Sequence, residues 1–200
     1  MEKVKSIILD WGGVLIEDPR PGLLRFCADA FGIPQDQYTP THDMFLEKFH
    51  VGAISEQEFW LGISAELGKP QPEIRSFWYE AFKAAYAPRP EVFSLARSLH
   101  EKGYKTALLS NTELPAVGFF HEQNYDMFDL LVFSCVERIA KPQREIYEIT
   151  LNRLGSTARQ TVFIDDRADY VQGATEAGLH AILFESAEQL RNELTELKVE

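Results

Sequence analysis

With 200 residues, 45% of them apolar and 26% charged, the chain has material for one well-buried core with a modest insertion, which excludes wholesale disorder and two large independent domains. Twenty Lys and Arg against 31 Asp and Glu leave a net charge of −11, so the general surface repels nucleic acid and anionic membrane, and an anionic substrate would need a locally positive pocket. No apolar run approaches membrane-spanning length, and the opening MEKVKSIILD has neither the apolar core nor the cleavage site of a signal peptide, so a cytoplasmic protein is expected.

The first apolar run, Val4 to Leu9, leads into Asp10-Trp11-Gly12-Gly13-Val14-Leu15. It reads as a buried strand that delivers a carboxylate into a glycine turn. From Glu17 to Ala87 no strand pattern is found. Apolar and aromatic residues recur there at helical spacing near 21–31, 36–49, 55–67 and 72–86, with prolines at 19, 21, 34, 40, 70, 72, 88 and 90 punctuating the boundaries. Ser55-Glu56-Gln57-Glu58 fits a capping box ahead of Phe59 and Trp60. Phe45, Phe49, Phe59, Trp60, Phe77, Trp78, Phe82 and Tyr86 are expected mainly to form a small bundle core, with a substrate pocket as the other use for some of them. Cys27 and Cys135, in apolar surroundings and without paired-motif spacing, read as buried free thiols.

From residue 88 onward short β-rich runs alternate with helical patterns. Strands are expected at Tyr104 to Leu109, Leu130 to Ser134, Thr161 to Ile164 and His180 to Phe184, with helices near 90–102, 112–123, 142–154, 168–177 and 186–198. That alternation predicts an α/β fold, a Rossmann-like parallel sheet of five strands. The core comprises residues 1–16 and 88–200, and residues 17–87 form the helical insertion.

In an open parallel sheet, ligands bind beyond the carboxyl ends of the strands, so the side chains just past each strand matter. Four such places carry suggestive groups: Asp10, Ser110-Asn111-Thr112, Lys141, and Asp165-Asp166. Each alone has an ordinary structural use. Asp10 could bond turn amides, Ser110 with Glu113 reads as a capping box for the next helix, Lys141 could be a solvated loop residue, and the two aspartates could cap the helix near Ala168 with Arg167 as partner. Taken together they imply more. Lys141 precedes Pro142, a good first helical residue, and a cation at that positive helix end is mildly unfavourable unless an anion lies between them. Asp165 and Asp166 packed near Asp10 would cost several kcal/mol without a counter-charge. A divalent cation resolves that cost; carboxylate and carbonyl oxygens suit Mg²⁺, and the five histidines lack zinc-ligand spacing. Asp169, in the first turn of the following helix, is expected only to support the site.

The ordered set D-x-G-G-V, S-N-T, K-P and D-D-x-x-D resembles the haloacid dehalogenase-like hydrolase superfamily, most of whose members are Mg²⁺-dependent phosphatases. The likeness covers nearly the whole chain, because a helical cap after the first motif is typical of one subclass. Within it the chain looks nearest to bacterial glucose-1-phosphate phosphatases and the amino-terminal lobe of epoxide hydrolases, and VGAISEQEFW, RPEVF and LLSNT look like the sugar-phosphate phosphatase type. The resemblance implies that Asp10 attacks phosphorus to give an aspartyl-phosphate, which water then hydrolyses. It also implies Mg²⁺ held by the Asp10 carboxylate, the Gly12 carbonyl and Asp166, with Asp165 auxiliary. Ser110, the Asn111 amide and Lys141 would hold the phosphoryl oxygens of a small phosphorylated metabolite.

One departure bears on mechanism. The usual family phosphatase has a second Asp two residues after the nucleophile as general acid and base, and this chain has Gly12. A positioned acid is worth about 10²–10⁴ in rate, so another group, water or an undemanding leaving group must compensate. Dehalogenases of the superfamily also lack that Asp and need no metal, which makes 2-haloacid dehalogenation the alternative. A phosphoryl-binding or interaction module with little turnover is a third. A monomer is expected, with a homodimer as the other option.

Overall fold

The order of strands in the sheet follows from where the chain can afford apolar residues on both faces. In the computed structural model, which describes residues 2–199, β1 (Ser6–Leu9) lies at the centre and is wholly buried. Ile7 and Leu9 join the cluster on one face of the sheet while Ile8 joins the cluster on the other, as alternating side chains require of a strand covered on both sides.

Helices α1 (Arg20–Phe31), α2 (Gln35–His50), α3 (Glu56–Leu67) and α4 (Phe77–Ala85) follow β1 before any further strand. Then come α5 (Pro90–Glu101), β2 (Lys105–Ser110), α6 (Leu114–Glu122), β3 (Leu130–Phe133), the short α7 (Ser134–Glu137), α8 (Arg144–Leu154), a 3₁₀ turn at Ala158–Gln160, β4 (Thr161–Asp165), α9 (Ala168–Glu176), β5 (His180–Leu183) and α10 (Ala187–Glu196). The sheet order is β3-β2-β1-β4-β5, and every pairing is parallel. Helices α5, α6 and α10 cover the face that also meets the insertion, and α8 and α9 cover the other. The chain order reverses direction across the sheet between β1 and β4, the position where an α/β sheet opens a crevice at its carboxyl edge. Among the described residues no helix is long and apolar enough to cross a membrane.

Several local features differ from expectation. The helix expected over 72–86 begins only at Phe77, because Ser76 adopts a left-handed conformation (φ 50°) and the helix start is held from outside. Glu56, in the first turn of α3, accepts from the Trp78 amide at 2.7 Å, from Ser76 Oγ at 3.1 Å and from Trp60 Nε1 at 3.2 Å. One carboxylate on α3 therefore accepts from an orphan amide and a hydroxyl at the start of α4. Pro40 does not mark a boundary; it lies inside α2, where the amide it lacks would have met the carbonyl of Asp36 in the first turn. The Ser55 capping box forms in full, with Ser55 Oγ accepting from the Glu58 amide and Glu58 accepting from the Ser55 amide.

The aromatic residues of the insertion do build a bundle core. Phe49, Phe59, Trp60, Phe77, Trp78 and Phe82 are buried, while Phe45 and Tyr86 pack against them partly exposed. Cys27 and Cys135 are free and buried. The insertion meets the core through rings: Tyr79 and Phe82 of α4 pack on Phe119 of α6, and Phe82 also lies 4.8 Å from Trp11.

Candidate active site

The carboxylates are placed by the ends of β1 and β4. The Asp10 amide donates to Ile164 O at 3.0 Å, extending the β1–β4 ladder one step past β1 and fixing where the carboxylate emerges. Asp165 closes β4, and its Oδ1 accepts from the Arg167 amide at 2.9 Å. Asp166 follows in the next turn, folded against Gly13. A Cβ at Gly13 would stand 2.1 Å from Asp166 Oδ2, and φ there is +84°, so only glycine lets the two loops close to this distance. Oxygens of Asp10, Asp165 and Asp166 all lie within 4.8 Å of one another.

Lys141 is the counter-charge, and it is fully enclosed. Its Nζ lies 2.6 Å from Asp165 Oδ2 and 2.9 Å from Asp10 Oδ1, and donates to Leu109 O at 3.0 Å. The loop that carries it is locked by Asn111, whose Oδ1 accepts from the Lys141 amide and whose Nδ2 donates to the Lys141 carbonyl, both at 2.9 Å. Asn111 Nδ2 also donates to Tyr170 Oη at 3.0 Å, and the Tyr170 ring lies 5.0 Å from the ammonium. Burial pushes the Lys141 pKa down, but the charges of Asp10 and Asp165 outweigh it and the net direction is up.

The expected conflict at Lys141 therefore does not arise. Helix α8 starts at Arg144 rather than at Pro142, and the anions that lysine faces are the protein's own carboxylates. The capping box expected at Ser110 does not form either. Ser110 ends β2, α6 begins at Leu114, and Glu113 at its N-cap makes no capping bond. Nor do the two aspartates cap α9: Arg167 stands at its N-cap and pairs with Asp169 at 2.8 Å. Asp169 is thus turned into an exposed ion pair and away from the three-carboxylate cluster.

Three carboxylates against one ammonium leave an excess of negative charge, with Asp10 and Asp165 buried and Asp166 on the exposed side of the cluster. Burial, reinforced by the charge of Asp10, pushes Asp166 up to about 6. Burial likewise pushes Asp165 up, with Lys141 pulling the other way. The arrangement fits a hard divalent cation, because an oxygen-only set with spare negative charge is what such an ion neutralises.

These groups open into a cavity of about 340 Å³. The core contributes Asp10, Gly12, Ser110, Asn111 and Asp166 to its lining, and the insertion contributes Leu23, Leu46, Trp78 and Phe82 together with His42 and His50. Two of the aromatic residues expected in the bundle therefore also wall the cavity. A Cβ at Gly12 would stand 3.2 Å from Pro19 Cδ, so a side chain there would have to displace the ring that starts the insertion.

Sequence reasoning did not single out His42, His50 or Tyr170, and gave Glu113 only a helix-capping role. His50 Nε2 lies 2.7 Å from Glu113 Oε1, and Glu113 Oε2 accepts from Trp78 Nε1 at 2.9 Å. His42 is stacked on Trp78 with ring centroids 5.6 Å apart. The available signal was a glutamate directly after S-N-T and two histidines eight residues apart on an aromatic-rich helix, none of it specific alone.

Comparison with known proteins bears on this geometry. A family model described as haloacid dehalogenase-like hydrolase matches residues 4–178. The chain is 27% identical to sesquiterpene phosphatase astK of Aspergillus oryzae over 88% of its length and 87% of that protein. It is 31% identical to glyceraldehyde 3-phosphate phosphatase of Methanothermobacter thermautotrophicus over 84% of its length and 76% of that protein. The solved structure of the HAD family enzyme BT-2542 of Bacteroides thetaiotaomicron, in complex with magnesium and inorganic phosphate, shares the fold at a TM-score of 0.76 and 23% identity, covering 94% of this chain and 98% of that one.

Proposed function

The chain belongs to the haloacid dehalogenase-like hydrolase family, and from that premise we propose that it is a Mg²⁺-dependent phosphatase acting on a small phosphorylated metabolite. The observation that carries the reading is the constellation in which buried Asp10 and Asp165 and exposed Asp166 bring oxygens within 4.8 Å of one another with Lys141 between the two buried ones. The similarity to two proteins named as phosphatases points the same way.

In this reading Asp10 is the nucleophile. Its carboxylate attacks phosphorus, the ester bond breaks, and the resulting aspartyl-phosphate is hydrolysed by water. Ser110 and the Asn111 amide, at the carboxyl end of β2, hold phosphoryl oxygens. Lys141 offsets charge at Asp10 and fixes its orientation. The Asp10 carboxylate, the Gly12 carbonyl and Asp166 would hold Mg²⁺, with Asp165 auxiliary, and the ion would neutralise the charge gathering on the phosphoryl group. Residues 17–87 act as a cap that covers the site and excludes bulk water. A metal-free dehalogenation would leave the Asp166 carboxylate, grouped with those of Asp10 and Asp165, without a use. A sugar phosphate is the finer proposal for the substrate, resting on the sequence likeness of the cap and of LLSNT.

The test is phosphate release from a panel of phosphorylated metabolites, glucose 1-phosphate included, with Mg²⁺ and with chelator. Release should require Mg²⁺, and Asp10→Asn should lower it by about 10³-fold or more. Full activity in Asp10→Asn would remove the mechanism.

A further inference from the structure

The cavity holds a proton-transfer pair that the phosphatase reading has not used. We propose that His50, held by Glu113, is the group that protonates the leaving oxygen in place of the carboxyl side chain absent at Gly12; this rests on the phosphatase reading above.

Placement is the first support. His50 is the last residue of α2 and lines the same cavity as Asp10 and Asp166, on the wall supplied by the insertion. Its backbone is tied to the core. Ser134 Oγ donates to the His50 carbonyl at 2.5 Å and accepts from the Thr112 amide at 2.9 Å. The next turn is pressed onto the core as well, since a Cβ at Gly52 would stand 2.5 Å from the carbonyl oxygen of Cys135. The segment Ser110 to Glu113 therefore lines the phosphoryl pocket with its first two residues, anchors the His50 backbone through its third and pairs with the imidazole through its fourth.

Chemistry is the second. Glu113 engages Nε2, and among the described residues no protein group engages Nδ1. The Glu113 carboxylate thus holds the imidazole through one nitrogen and leaves Nδ1 as the nitrogen that can hand over a proton. The charged and titratable groups around it are Glu113 at the start of α6, His42 and Lys48 on α2 itself, and Cys135 on α7, whose thiol burial pushes up to about 12. The same cavity is lined by Asp18, Arg20, Asp166 and Arg167.

The other lining groups are less suited. His42 is pushed down to about 4 by burial and its Nδ1 lies 3.3 Å from Tyr38 Oη, so it is neutral and engaged. The guanidinium groups of Arg20 and Arg167 do not give up protons and are paired with Asp43 and Asp169. Asp18, at the exposed rim, accepts from the Arg20 amide at 3.0 Å.

The step balances without another reactant. As Asp10 forms its bond to phosphorus and the ester P–O bond breaks, the His50 Nδ1 proton passes to the departing oxygen, and a neutral alcohol leaves. The imidazole then takes a proton from the water that attacks the aspartyl-phosphate. Inorganic phosphate departs, and the Asp10 carboxylate and the imidazolium are restored.

The demand for a proton depends on the leaving group, which gives the test. With Mg²⁺ present, kcat/KM is measured for an alkyl phosphate and for 4-nitrophenyl phosphate, whose phenolate leaves without help. His50→Gln should lose about 10²–10⁴-fold on the alkyl ester and less than about tenfold on the aryl ester. Added imidazole should restore part of the loss in His50→Ala. Should both variants fail to fold, the wild type still decides: its alkyl-ester kcat/KM should fall on the basic side where the aryl ester's does not. Equal loss on both esters would make His50 structural and overturn the proposal, as would parallel pH profiles, or a selective loss in Asp18→Asn instead. If the wild type releases phosphate from neither ester, or Asp10→Asn stays active, the phosphatase reading itself has failed, and it fails in an arm that does not involve His50.

Discussion

At the carboxyl ends of β1, β2 and β4 the chain buries charge: Asp10, Lys141 and Asp165 are each at most 6% exposed. In the insertion it buries rings, with Trp78 in contact with His42, Phe49, Phe59 and Trp60. The first arrangement costs stability and is held by hydrogen bonds that lock loops; the second gains stability from apolar area and aromatic edge contacts. The two meet at one cavity, which has aromatic rings and acidic groups in its lining. Damage to the wall should show first as lost stability, and damage to the cluster first as lost ion binding or lost chemistry.

The largest effect expected on the wall is Trp78→Ala. It removes a side chain that is 1% exposed and the donor to Glu113, and should cost about 3–5 kcal/mol in urea unfolding. A loss below about 1 kcal/mol would mean that the rings of the insertion line the cavity without holding the fold together.

Acid should separate the two regions next. Burial lowers His42 from 6.5 to about 4, so the unfolded chain takes up that proton first. The stability His42 provides is complete above about pH 6.5 and is lost as pH falls toward 4, about 3 kcal/mol in all. Asp166 runs the opposite way in metal-free protein. Its pKa is raised to about 6, so its contribution is present at low pH and is lost as pH rises through 6. Comparing unfolding midpoints of wild type and His42→Gln across pH 4–7 checks the sign, because the variant should lose the acid-labile part. An unchanged profile would mean that another group carries it.

How much of this was legible beforehand differed between the regions for a physical reason. The strand-end residues could be read because a carboxylate directly after an apolar run breaks a pattern, and because Asp10, Ser110, Lys141 and Asp165-Asp166 recur at successive strand ends. What each side chain does locally was harder to read. Ser110, a plausible helix cap by spacing, ends a strand instead, and Asp169 is claimed by Arg167 two residues away. In the insertion the helices were legible from periodicity. The late start of α4 was not, because it depends on Glu56 reaching across from another helix, a contact twenty residues distant that no local pattern encodes. His50 and Glu113 are 63 residues apart in sequence (113 − 50), and only the packing of the insertion onto the core makes them a pair.

The smallest expected effect tests the acidic side of the comparison with the least disturbance to the rest. Gly13→Ala adds one methyl group at a backbone position with φ +84° and 2.1 Å from Asp166 Oδ2. The loop cannot yield cheaply in a conformation that side chains disfavour, so Asp166 must rotate away. If Asp166 is a ligand, Mg²⁺ affinity measured by calorimetry should fall by about 10–100-fold, the range seen when the support of a ligand is disturbed. Unaltered Mg²⁺ binding in this variant would remove Asp166 from the ligand set and leave the ion to Asp10 and Asp165.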